Sequence, residues 1–163
     1  MVKYQRGGVA VDPFEWRDRV VIGELFQALS YQFAGVSMAL GLEFTLTPPE
    51  RPIFVLFDRE SLADVISSLV HNAFAACEKG GAVALRGQAE GLNCRITVVD
   101  SGPGIAPGAL EAIFAPGYPR RGRDGFTLNL FQIRAVVESM GGTIRAANRA
   151  RGGARFTLIL PCA

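Results

Sequence analysis

Asp100 ends a run of strand-forming residues, Arg95-Ile96-Thr97-Val98-Val99, and is followed by Ser101-Gly102-Pro103-Gly104-Ile105. A carboxylate only accepts hydrogen bonds, so it can read an exocyclic amine such as that of adenine. Glycines directly after it allow backbone to approach a flat ring closely. The same residues also fit an ordinary Asp-initiated turn, and the residues alone leave both readings open. Ser68 and Asn72 lie four apart and share one face of a helix, largely away from the Leu62 and Leu69 stripe. A carboxamide oxygen there can hold a hard cation such as Mg²⁺, and a plain polar surface residue is the alternative. Gly125-Phe126-Thr127-Leu128-Asn129-Leu130 leads into a further helix. A helix N-terminus offers unpaired N–H groups and partial positive charge to phosphate oxygens. Thr127 fits equally well as a simple N-cap. The single histidine, His71, adjoins the apolar stripe of the Asn72 helix and reads as a partly buried helical residue with no assigned role.

These residues need a scaffold, and the chain supplies one. Residues 1–18 carry Gly7-Gly8, Pro13 and mixed charges, a short leader able to pair one strand onto a domain of residues 19–163. From Val20 to about Leu40, Val21, Leu25, Leu29, Phe33 and Val36 fall at helical spacing, and Gly41 stops that helix. Leu42–Leu46 alternates as a strand closed by Pro48-Pro49, and Ile53–Phe57 reads as another. Asp58 caps a helix expected from Arg59 to Lys79, with Gly80-Gly81 beyond it. Ala82–Arg86 and Leu92–Val99 form a hairpin, a short helix covers Pro107–Phe114, and Thr127–Met140 is a helix stopped by Gly141-Gly142. Thr143–Ala147 and Ala154–Leu160 complete the strands. Without a strict βαβ rhythm, this order predicts a two-layer α/β sandwich.

At 163 residues, 49% of them apolar, the chain suits one domain with a real core. A net charge of +2 lacks the footprint of a nucleic-acid binder, and the late arginines, from Arg120 to Arg155, read as a solvated surface. Three widely spaced cysteines fit a reducing, cytoplasmic compartment rather than a disulfide scaffold. No apolar stretch approaches the roughly 20 residues of a membrane helix, so no direct membrane contact is expected of this segment. The sole histidine excludes a multi-His metal site.

In their order and spacing these signals carry a resemblance. Asn72-Ala73, Asp100-Ser101-Gly102-Pro103-Gly104-Ile105, Ile113-Phe114-Ala115-Pro116, Gly125 with its helix, Gly141-Gly142-Thr143-Ile144 and Gly153-Ala154-Arg155-Phe156 through Leu160-Pro161 resemble the catalytic domain of sensor histidine kinases. The similarity runs from about Val20 to Pro161. It implies the histidine kinase-like ATPase (Bergerat) fold, a mixed sheet backed by helices, with ATP and Mg²⁺ as cofactors. By that resemblance Asn72 holds Mg²⁺ and Asp100 takes the adenine amine. Gly102, Gly104 and Ile105 shape the purine pocket, and Gly125, Thr127, Leu128 and Asn129 form the phosphate turn. Residues 115–124 become a lid carrying Arg120, Arg121 and Arg123. The implied partners are the dimerisation and phosphoacceptor domain of a parent kinase, itself open to membrane anchoring, and a response regulator in a two-component phosphorelay.

The chain departs from the family pattern at three places. Ser68 replaces a second asparagine as a metal ligand, Ala75 stands where many relatives have lysine, and the GxGxG box reads Gly125-Phe126-Thr127-Leu128-Asn129. Two readings follow: a domain supplying the γ-phosphoryl to a histidine elsewhere, or a degenerate module kept for regulation or partner binding. A serine kinase of the anti-sigma type shares the same boxes, but the Val20–Phe57 layout is closer to histidine kinases.

Overall fold

A computed structural model describes residues 18–118 and 128–163, together with the backbone of two short strands, β1 (Gln5–Arg6) and β2 (Val9–Ala10), which pair with each other. Strand β3 (Asp18–Val21) runs directly into helix α1 (Ile22–Leu40) and pairs antiparallel with β5 (Phe54–Phe57). It therefore straddles the expected end of the leader at residue 18. No side chain caps α1; its first amide, Ile22 N–H, donates instead to the Ile53 carbonyl at 3.0 Å. Gly41 closes α1 as expected, at φ 67°, where its N–H reaches the Met38 and Ser37 carbonyls. A residue with a Cβ would be strained there.

Strand β4 (Glu43–Thr47) lies parallel to β6 (Ala82–Glu90), although helix α2 (Arg59–Ala76) and β5 intervene in the chain. Strands β7 (Asn93–Asp100), β8 (Thr143–Asn148) and β9 (Ala154–Pro161) complete a five-stranded sheet in the order β4-β6-β7-β9-β8, antiparallel at every junction but the first. The mixed sheet and its helical layer are those the sequence pattern predicts. Strand β7 is central, and its alternation is strict: Cys94, Ile96, Val98 and Asp100 point inward and are buried. Against that inner face pack Phe26 and Phe33 of α1, Leu62, Ile66 and Leu69 of α2, and Ile133 and Val137 of α3 (Leu130–Ser139), all at 1% exposure or less. Burial on this scale supplies roughly 25 cal/mol per Å² of apolar surface.

Several boundaries differ from expectation. Val20 and Val21 belong to β3, so α1 starts at Ile22, and β6 runs to Glu90 rather than Arg86. Three more differ for a clear local reason. Helix α2 ends at Ala76 rather than Lys79, because the chain turns away to place Gly80 N–H on the Gly41 carbonyl and Gly81 O on Glu43 N–H. The short helix over 107–114 is two 3₁₀ turns, Pro107–Ala109 and Ala112–Phe114. Helix α3 begins at Leu130 rather than Thr127, because Asn129 is its N-cap. Asn129 Oδ1 accepts from Gln132 N–H at 2.8 Å, and Gln132 Oε1 accepts from Asn129 N–H at 3.0 Å, a complete capping box.

Candidate functional site

Asp100 is the last residue of the central strand and its side chain is only 3% exposed. Burying a carboxylate is costly unless its lone pairs find donors. Here Oδ1 accepts from Gly102 N–H at 2.9 Å and from Ala154 N–H at 3.3 Å. No hydrogen bond among the described residues ends on Oδ2. Burial pushes the carboxyl above its ordinary value of 3.8, against the two backbone hydrogen bonds and the nearby Arg149 cation, which pull it down. One oxygen is thus fixed and the other is open to a donor from outside.

The loop after Asp100 is shaped by contacts within the protein. A Cβ on Gly102 would fall 2.6 Å from the Ala76 carbonyl oxygen, and one on Gly104, at φ +79°, would fall 2.8 Å from Asn148 Oδ1. These glycines are required by packing against the end of α2 and against β8, so they set the loop's position from behind. Asn148 then grips Ile105 twice: Oδ1 accepts from Ile105 N–H at 2.8 Å and Nδ2 donates to the Ile105 carbonyl at 2.7 Å. Ser101 Oγ accepts from Ala82 N–H at 2.8 Å, tying the loop to the start of β6.

Helix α2 brings the other candidates together. Ser68, Asn72 and Ala76 are spaced by four and run along one side of the helix over about 12 Å. The sequence places this face on the polar side, yet Ser68 is buried at 2% exposure. Its Oγ accepts from Leu128 N–H at 2.9 Å, linking α2 to the lead-in of α3. Ala76 at the far end touches the Gly102 position. Half-buried Asn72 therefore stands between two contacts, one to the α3 lead-in and one to the Asp100 loop. Its neighbour His71 packs edge-on between Phe33 and Phe74, each with ring centroids at 6.1 Å, and faces Gln32 Nε2 at 3.0 Å. That is the partly buried helical position its sequence context suggests.

Helix α2 thus joins the loop of Asp100, Gly102, Gly104 and Ile105, through Ala76, to Leu128 and the Asn129 cap, through Ser68, with Asn72 between the two contacts. Gly125, Thr127 and the candidate lid residues Arg120, Arg121 and Arg123 lie outside the described residues. Among the described residues, no group of three or more His, Cys, Asp or Glu side chains could hold a metal unaided. No helix among them is long and apolar enough to cross a membrane.

Sequence reasoning missed Asn148, Arg149 and the structural role of Gly153. Arg149, grouped with a solvated surface, is half-buried and donates to the Asp100 carbonyl at 3.0 Å. Only strand pairing brings the β8–β9 turn to the end of β7, and no local pattern announces it.

Residues 57–163 match the family model described as histidine kinase-, DNA gyrase B-, and HSP90-like ATPase. The sensor histidine kinase ZraS of Escherichia coli (strain K12) is 35% identical over 127 residues, 77% of this chain and 26% of that protein. The chain thus spans about a quarter of the length of that curated relative. The nucleotide-free catalytic domain of histidine kinase ThkA has the same fold, with a TM-score of 0.80 at 24% identity over 89% of this chain and 95% of that one. Full-length ShkA, solved in complex with AMPPNP, gives a TM-score of 0.78 at 25% identity, covering 90% of this chain and 31% of that one.

Proposed function

Because this chain belongs to the histidine kinase-, DNA gyrase B- and HSP90-like ATPase family, we propose that it is the ATP-binding catalytic domain of a two-component sensor histidine kinase. The observation that carries this reading is the arrangement of Asp100. A buried carboxylate with one oxygen held by Gly102 and Ala154 keeps the other for a donor, and the adenine amine is such a donor. Asn72, between the Asp100 loop and the start of α3, is the residue to hold Mg²⁺ through its carboxamide oxygen. Mg²⁺ would neutralise phosphate charge there. Ser68 has its oxygen engaged by Leu128 N–H and serves to fix the helix pair. Phosphoryl transfer rests on positioning and charge stabilisation, so the acceptor histidine comes from a dimerisation domain and a response regulator follows in the relay.

The test is nucleotide discrimination. Guanine carries a carbonyl where adenine carries its amine, so a carboxylate reader binds ATP and leaves its own oxygen facing another acceptor with GTP. Calorimetry should give ATP binding at least about tenfold tighter than GTP binding. Equal affinities would remove Asp100 from its role.

A second reading has one observation in its favour. Asn129 Oδ1 already occupies Gln132 N–H in the first turn of α3, which is where a helix offers amides to phosphate. In that case the domain keeps the fold as a regulatory or partner-binding module.

A further inference from the structure

Among the described residues, helices cover only one face of the five-stranded sheet, the one carrying Cys94, Ile96 and Val98, and the other face presents a regular pattern of arginines. Register places Arg86 opposite Thr97, Thr97 opposite Thr157, and Thr157 opposite Arg145, so one row crosses β6, β7, β9 and β8. At about 4.8 Å between strands, the two arginines ending that row stand roughly 14 Å apart. Arg155 lies in the next row, between Val99 and Ala147, diagonal to Arg145. Arg86, Arg145 and Arg155 are exposed, and none forms an ion pair among the described residues. The fourth outward arginine, Arg95, is already satisfied by Glu90. Apart from Glu90, the acid on the outward rows is Glu43, at the far edge strand beside Ala82. Like charges on diagonal neighbours of a sheet disfavour one another, so the Arg145 and Arg155 pair gains from an anion between them.

We propose that this open sheet face is a docking surface for a protein that carries clustered Asp and Glu side chains. The chemistry favours carboxylates: all three unpaired groups are guanidinium forks, which meet carboxylates in bidentate pairs. Between them lies a flat floor of Thr97, Val99 and Thr157. The outward positions of the five strands include no aromatic residue on which a base could stack. Their branched apolar side chains, Val99 and Ile159, are both partly buried and lie among Thr and Arg residues rather than forming a protruding patch that would insert between lipids. This surface lies on the opposite side of the sheet from α2, so it acts independently of nucleotide binding.

The experiment titrates the full chain with a hexaglutamate peptide while recording amide shifts, with hexaglutamine as control. Shifts should concentrate at Arg86, Thr97, Arg145, Arg155 and Thr157. Binding should fall at least about tenfold in the Arg86→Glu/Arg145→Glu/Arg155→Glu variant while melting and nucleotide titrations stay as in the parent. If the triple variant does not fold, Arg145→Gln alone must weaken the peptide and Arg145→Lys must restore part of the loss. Shifts scattered over the surface, equal binding by the charge-reversed variant, or no effect of Arg145→Gln would overturn the proposal. So would tighter binding to a DNA duplex or to phosphatidylserine vesicles than to the acidic peptide.

Discussion

A Cβ built on Gly153 would stand 1.8 Å from the carbonyl oxygen of Asp100. Gly153 also sits at φ +88°, and its neighbour Ala154 donates to Asp100 Oδ1. The β8–β9 turn is thus pressed against the strand end that carries the candidate ligand-reading carboxylate, and Arg149 seals the contact from the same turn.

Gly153→Ala should therefore destabilise the fold by about 2 kcal/mol or more, since strained backbone and a backbone clash act together. Gly108→Ala, where nothing lies within 4 Å of the added carbon, should stay within about 0.5 kcal/mol of the parent. Urea unfolding of both variants checks the contrast. Equal stabilities would show that the turn is not held against Asp100.

Asp100→Asn tests the electrostatics of burial. The folded-state value of the carboxyl lies above 3.8, so the folded chain holds the proton more tightly than the unfolded chain. The corresponding stability is fully present below the unfolded value and is lost as pH rises through the folded one. Asparagine keeps an acceptor for Gly102 and Ala154 but never ionises. Its melting temperature should rise relative to the parent's as pH climbs from below 3.8 through the raised folded value. A difference that is flat, or that grows in the parent's favour, contradicts the desolvation account.

The fold was largely legible in the sequence because its signals are local. Gly41 and Asp58 mark helix boundaries, and the alternation from Cys94 to Asp100 marks the buried strand. The parallel pairing of β4 with β6 was not, since no local pattern encodes partners separated by a helix and a strand. At the site, Asp100 and Asn72 stand out by type and context. Asn148, Arg149 and Gly153 act over about fifty residues of sequence and become meaningful only once β9 pairs with β7. Ser68 misled for a different reason. Its hydroxyl looks like a surface group, yet a small side chain with one hydrogen bond to Leu128 N–H fits a buried position.

Ser68 and Asn72 should separate cleanly. Ser68→Ala leaves Leu128 N–H without its acceptor and should cost about 1–3 kcal/mol of stability, while Mg²⁺ continues to strengthen ATP binding. Asn72→Ala should remove the Mg²⁺ effect and spare adenosine binding. Calorimetry with and without Mg²⁺ distinguishes them. A Mg²⁺ effect retained in Asn72→Ala assigns the cation elsewhere.

The capping box makes a further test. Asn129→Ala should lower stability by about 0.5–2 kcal/mol and free Gln132 N–H. Affinity should then rise for ATP more than for adenosine, because only the phosphates reach a helix N-terminus. Asn129→Gly should give the same change in binding and cost only a few tenths of a kcal/mol. ATP binding weakened in both folded variants would mean that Asn129 contributes to the phosphate site.

The most direct measurement is a calorimetric titration of ATP with Mg²⁺ into the parent chain and into Asp100→Asn, each confirmed folded by its thermal melt. Binding of adenine through the open oxygen of a buried carboxylate predicts one saturable site in the parent and none in the variant, where an amide donor faces the adenine amine. A folded parent that takes up no ATP, or a variant that binds it as tightly as the parent, would contradict that claim.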